Sequence, residues 1–215
     1  MAAAAGVATA GCSGLDVGSQ FPDLSVAAVD PVPLAEASAD VAVERGFTGD
    51  RPATLRVALT NDADRERTVR FLMGLPFPPY DGHQSDGDGI VELVPRTEDY
   101  PDVVPAEPTR GCWAATRSAG GEDIYVGRTL APGETLERRY VLLSAPRADG
   151  CVPAGRYRFE KERYADTGER WGFTVEATET GEPSAGQTPA ASGDTSSPRT
   201  ATAASRTASR SVSGA

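Results

Sequence analysis

Ala53-Thr54-Leu55-Arg56-Val57-Ala58-Leu59-Thr60-Asn61 is the stretch on which the fold turns. Leu55, Val57 and Leu59 recur at every second position, which puts them on one face of an extended chain, with Thr54, Arg56 and Thr60 near or on the other. On a helix, Val57 would point away from Leu55. Asn61-Asp62-Ala63-Asp64 reads as a turn, because short polar side chains bond their own backbone there. Beyond it, Thr68-Val69-Arg70-Phe71-Leu72-Met73 alternates again, and the two runs are expected to pair as a hairpin.

The same pattern extends in both directions. Weaker strands are predicted at residues 24–29, 40–44 and 89–94. Stronger ones follow turns: residues 136–143 after Ala131-Pro132-Gly133-Glu134, and 155–160 after Val152-Pro153-Ala154. Trp171, Phe173 and Val175 share one face of a closing strand. No segment sustains a helical period over three turns. The expectation is an all-β chain, an antiparallel β-sandwich of about 7–9 strands, with a barrel as the alternative closure. Trp113 and Trp171 are expected to pack in the core, Trp113 against a bridge at Cys112.

Three regions differ in composition. Residues 1–22 read as a leader and tether, residues 23–180 as one sandwich domain, and residues 181–215 as a Ser/Thr/Ala-rich tail. No aromatic residue follows Phe173 and no Leu, Ile or Met follows Leu143. A tail of that kind buries too little apolar surface to offset its ordering entropy, so it is expected to be disordered.

The leader contains Ala8-Thr9-Ala10-Gly11-Cys12-Ser13-Gly14. Small residues before a cysteine suit a lipoprotein-processing enzyme, whose active site must admit the chain beside the thiol. No Lys or Arg precedes Cys12, and Thr9 stands where such signals usually carry Leu. The expectation is lipidation at Cys12 and a domain held at the membrane on the extracytoplasmic side; the alternative is an Ala/Gly-rich terminus with an incidental cysteine. With Cys12 set aside, Cys112 and Cys151 remain as a pair, read as a disulfide, with two separate buried thiols as the alternative.

The formal net charge is -10, Lys161 is the sole lysine and Asn61 the sole asparagine. Excess carboxylates repel a phosphate backbone and anionic headgroups, and nucleic acid is therefore not an expected partner. Residues 77–92 gather aromatics, the only histidine and several acids. Asp81, His83, Ser85 and Glu92 fall at the 1, 3, 5 and 12 spacings of a calcium loop, although Asp86 stands where that loop needs glycine. Asp81, His83, Asp86, Asp88 and Glu92 are therefore the candidate calcium ligands, against a solvated acidic loop as the simpler alternative. Residues 76–80 are expected to form an exposed proline-aromatic recognition ridge. No nucleophile elbow, zinc motif, dinucleotide fingerprint or phosphate loop occurs, so no enzyme activity, catalytic residue or cofactor is expected.

Leu130-Ala131-Pro132-Gly133-Glu134-Thr135, then Pro153-Ala154-Gly155-Arg156-Tyr157-Arg158-Phe159, then Trp171-Gly172-Phe173 resemble the late turns and strands of immunoglobulin-like domains. The pattern resembles haloarchaeal lipoproteins with such a domain and, more distantly, is similar to the Bacillus intracellular proteinase-inhibitor family. The acidic, lysine-poor composition also resembles that of halophilic proteins. The resemblance implies an immunoglobulin-like sandwich with Tyr157 as a tyrosine corner, and it carries no catalytic residues. The functions expected from all of this are a lipid-anchored module binding a surface protein or polymer, a calcium or small-ligand accessory protein, or a protease inhibitor.

Overall fold

The computed structural model describes residues 21–96, 100–120, 123–146, 148 and 150–180. Ten strands run through these residues: β1 (Asp23–Val29), β2 (Ala37–Arg45), β3 (Ala53–Asn61), β4 (Arg67–Leu72), β5 (Tyr80–Gln84), β6 (Ile90–Pro95), β7 (Tyr125–Leu130), β8 (Thr135–Ser144), β9 (Gly155–Lys161) and β10 (Trp171–Thr178). The only helical turn among them is the 3₁₀ turn Tyr164–Asp166. The all-β expectation holds, and eight of the ten strands lie where alternation placed them. β5 and β7 were not foreseen: β5 is only five residues long, and β7 has one buried residue, Leu130, so neither presents a regular apolar alternation.

The strands form an eight-stranded antiparallel sheet, ordered β1-β10-β9-β5-β6-β8-β3-β2, and a separate pair, β4-β7. The two halves of the long sheet share one core. Leu55, Val57 and Leu59 of β3 and Tyr140 and Leu142 of β8 join Trp171, Phe173 and Val175 of β10 and Phe159 of β9 in a single cluster. Val69, Phe71 and Leu130 of the small sheet belong to the same cluster, giving the two-layered packing of a sandwich. Aromatic rings concentrate there, with Phe77 edge-on to Phe173 at 5.1 Å between centroids.

The expected hairpin of β3 with β4 does not form. β3 lies between β2 and β8, whereas β4 pairs with β7 in the other sheet. The chain changes sheet at Asn61, which is 2% exposed. Its amide nitrogen donates to the carbonyls of Arg65 (2.9 Å), Leu130 (3.0 Å) and Ala131 (3.1 Å), and its Oδ1 accepts the Ala63 N–H. One side chain thus ties the β3–β4 corner to the β7–β8 turn. A local turn signal cannot tell such a corner from a hairpin, because the decisive acceptors lie 69 and 70 residues away.

β6 and the second half of β8 are buried along both faces. Val91, Leu93, Tyr140 and Leu142 face the main core, while Val94, Val141 and Leu143 face a second cluster with Phe21, Tyr100, Val103, Trp113 and Ala115. The second cluster lies under the segment between β6 and β7, which covers the outside of the sheet. Burial on both sides explains why Tyr140-Val141-Leu142-Leu143 is apolar without interruption. The covering segment is fastened at several points. Ala115 N–H donates to the Ser144 carbonyl and Ser144 N–H to the Trp113 carbonyl, both at 2.9 Å. The Trp113 indole donates to the Thr48 carbonyl at 2.7 Å. A disulfide joins Cys112 to Cys151 in the β8–β9 connection. The expected bridge is therefore present and Trp113 is core-packed beside it, but the bridge fastens the covering segment instead of joining the two layers.

Tyr157 does form a corner: its hydroxyl donates to the Pro153 carbonyl at 2.7 Å, four residues back. Residues 76–80, in contrast, are no exposed ridge. Phe77 is fully buried, and its backbone N–H and carbonyl both bond the Tyr140 hydroxyl. The Pro76 carbonyl accepts the Tyr164 hydroxyl at 2.8 Å. A proline-rich stretch has few N–H groups to satisfy, and here two tyrosines satisfy the rest, so the core can admit it.

Candidate functional site

The acidic stretch 81–92 folds as a β-hairpin. Asp81 lies opposite Glu92, and His83 opposite Ile90, in the β5–β6 pairing. Alternation places Asp81, His83 and Glu92 on the outer face. Gly82 and Val91 point inward, and Gly82 is where the Phe159 ring passes: a Cβ there would lie 2.5 Å from it.

The stretch does not take the wound shape of a twelve-residue calcium loop. Asp86 and Asp88 are exposed at the hairpin tip, beyond the face that carries Asp81, His83 and Glu92. Among the described residues no group of three or more His, Cys, Asp or Glu side chains is placed to hold a metal ion. The inside of the turn is taken by Gln84, which the sequence did not single out. Its Oε1 accepts the Gly89 N–H at 3.1 Å and its Nε2 donates to the Ala154 carbonyl at 3.0 Å. Gly87, Gly89 and Gly155 surround that amide, and a Cβ on any of them would meet it at under 3.0 Å. The glycine richness of the loop therefore serves a glutamine plug. A twelve-residue loop winds its ligands around one centre, whereas strand pairing spreads them along a ladder.

Glu92 is the notable member of this face. It is 2% exposed although it points away from the main core, because Ser118 and Ala119 of the covering segment lie over it. Its carboxylate accepts the Ala119 N–H at 3.1 Å. Burial raises its pKa above the usual carboxylate range, against the hydrogen bonds from Ser118 and Ala119; the charge of Asp81 opposite adds to the rise. Beside it opens a cavity of about 330 Å³ whose lining includes Tyr80, Asp81, His83, Glu92, Ser118 and Ala119. Such a pocket, with two carboxylates, a ring and one imidazole, suits a small ligand bearing a cationic group better than a bare ion. Ser118 and Ala119 were invisible as site residues in the sequence, because they reach Glu92 only through the path of the covering segment.

Further cavities flank the same segment. One of about 420 Å³ lies beside the disulfide and is lined in part by Cys112, Ala114 and Thr116. Another, of about 510 Å³, includes Tyr100, Val104 and Arg45 of β2 in its lining. Cys12 lies outside the described residues. No helix among the described residues is long and apolar enough to cross a membrane. Compared with protein families, with curated proteins and with solved structures, the chain has no match.

Proposed function

We propose that this chain is an extracytoplasmic, non-catalytic binding module, held at the membrane by a lipid on Cys12 and presenting preformed cavities to a surface protein, polymer or small ligand. One observation carries this reading: the Cys112–Cys151 bridge fastens the covering segment that walls the cavities. A disulfide of this kind persists in oxidising compartments, which supports export. Fastening the wall before a ligand arrives lowers the ordering cost of binding, which supports a binding role. Mass spectrometry of the protein taken from native membranes tests it. The expected result is a lipid-sized mass increment on Cys12 and an oxidised Cys112–Cys151 pair. An unmodified, reduced protein in the soluble fraction would sink the reading.

A second reading is favoured by the buried Glu92: an accessory protein that takes a small cationic ligand in the cavity beside it. Titration with agmatine checks this, with a rise in Tm expected that Glu92→Gln abolishes. No shift at saturating agmatine would remove it.

A further inference from the structure

Three arginines line a cavity on the outer face of the sheet, with no carboxylate among the described residues of the lining. Register places Arg45 of β2 opposite Thr54 of β3, Thr54 opposite Val141 of β8, and Val141 opposite Val94 of β6. Arg96 follows two positions after Val94, and Arg51 comes from the β2–β3 connection. Tyr100 and Val104 of the covering segment wall the cavity of about 510 Å³ left over this rung. Its surface is mostly proline, valine and tyrosine, with the three guanidinium groups as its only charges among the described residues.

The chain has 31 acidic residues to 21 basic ones, so a patch of one positive sign runs against its composition. Some arginines elsewhere are paired, Arg56 with Asp40, Arg158 with Asp30 and Arg170 with Glu160 at 3.0 Å, whereas others, such as Arg110 and Arg138, form no ion pair with a described residue. Two acids near the cavity already have partners. Glu44 takes two hydrogen bonds from Arg139, at 2.7 and 3.1 Å. Asp50 accepts the Thr48 hydroxyl at 2.6 Å and lies 3.5 Å from Arg51, both side chains being well exposed. Neither Arg45 nor Arg96 forms an ion pair with a described residue.

Guanidinium forks match the oxygens of a phosphate, and an apolar floor matches a body attached to it. From this we infer that the Arg45–Arg51–Arg96 cavity binds a phosphate monoester or diester carried on an apolar group. Its volume is in the range of small-ligand sites. Phe21 stacks on Phe47 of the same β2–β3 connection, with ring centroids 5.9 Å apart. Cys12 lies nine positions earlier, a reach of at most about 32 Å. Given the proposed lipid anchor, an anionic headgroup would supply this chemistry as readily as a free phosphate ester.

Calorimetry on the full chain carrying Cys12→Ser, with phenyl phosphate as probe, tests the site without depending on the anchor. Phenyl phosphate is expected to bind more tightly than inorganic phosphate or phenol. Arg45→Gln and Arg96→Gln are each expected to weaken it about tenfold, the loss of one charge-assisted hydrogen bond. Arg65→Gln, at the opposite end of β3, is expected to leave it unchanged. Co-sedimentation with phosphatidylglycerol vesicles, against phosphatidylcholine vesicles, distinguishes the sources. Arginine-dependent binding to the anionic vesicles supports a headgroup, and arginine-dependent binding to phenyl phosphate alone supports a free ester. Absence of binding to either, or binding that both arginine variants retain, overturns the proposal. The mass of Cys12 from native membranes reports on the anchor separately.

Discussion

The carboxylate of Glu92 accepts the main-chain N–H of Ala119 at 3.1 Å, so a buried acid helps hold the covering segment to the outside of the sheet. Because burial raises the Glu92 pKa, the folded chain binds its proton more readily than the unfolded chain does. The contribution of Glu92 is therefore most favourable below pH 4.5, its ordinary value. It is lost as pH rises from there through the folded value. Glu92→Gln keeps an acceptor without the charge. Urea unfolding from pH 4 to 8 should show the wild type losing stability relative to Glu92→Gln as pH rises. A difference curve that is flat, or slopes the other way, would contradict the buried-acid account.

Asn61→Ala removes the side chain that serves three carbonyls and one N–H at the crossing between sheets. Leaving buried groups unpaired should cost about 3 kcal/mol, read as a lower urea midpoint at unchanged m-value. Asn61→Asp should also destabilise, since an ionised aspartate accepts but cannot donate to the Leu130 carbonyl.

Removing the disulfide by Cys112→Ala with Cys151→Ala should cost about 4 kcal/mol in the chain-entropy treatment, given the separation of 39 residues. The loss should be felt first in the covering segment. Hydrogen exchange is expected to quicken at Trp113 and Ala115 before it does in β9 and β10. Uniform quickening would mean that the segment is not a separate unit.

Gly82→Ala places a methyl against the Phe159 ring, at 2.5 Å before relaxation. The core there is closed by Phe159 and Phe173, stacked with centroids 5.1 Å apart. Overpacking should cost about 1–3 kcal/mol, with thermal unfolding as the measurement. Gly133→Ala introduces no such contact, but its φ of 72° penalises a side chain on its own.

Tyr157→Phe and Tyr140→Phe should differ in size. Tyr157 gives up one bond to the Pro153 carbonyl, worth about 1 kcal/mol. Tyr140 serves both backbone groups of the buried Phe77, so its loss should cost about 3 kcal/mol. Burial also lifts the Tyr157 hydroxyl from 10.0 to about 12. Its contribution is then complete below pH 10 and falls away as pH rises through that range.

What could be read from the chain was what depends on neighbours a few residues apart. The period-two pattern of Leu55, Val57 and Leu59 marked β3, the Pro-Gly turn at 132–133 marked the start of β8, and Tyr157 was legible as a corner because its acceptor lies four residues back. Two paired cysteines were legible by elimination. The candidate site was legible only as a concentration of acids at residues 81–92. The spacing could not show that the same residues pair as strands, or that Gln84, packed among three glycines, fills the turn.

The all-β class and most strand positions were determined by the sequence alone, since alternation is a property of one strand and the water or core on its two sides. Only the tertiary structure decided that Asn61 is a crossing between sheets and that residues 76–80 are core. It alone put Glu92 under Ser118 and Ala119 and brought Arg45, Arg51 and Arg96 around one cavity. Each of those outcomes rests on partners tens of residues away, where burial and charge are set by which surface the chain lays over another, and no local pattern records that choice.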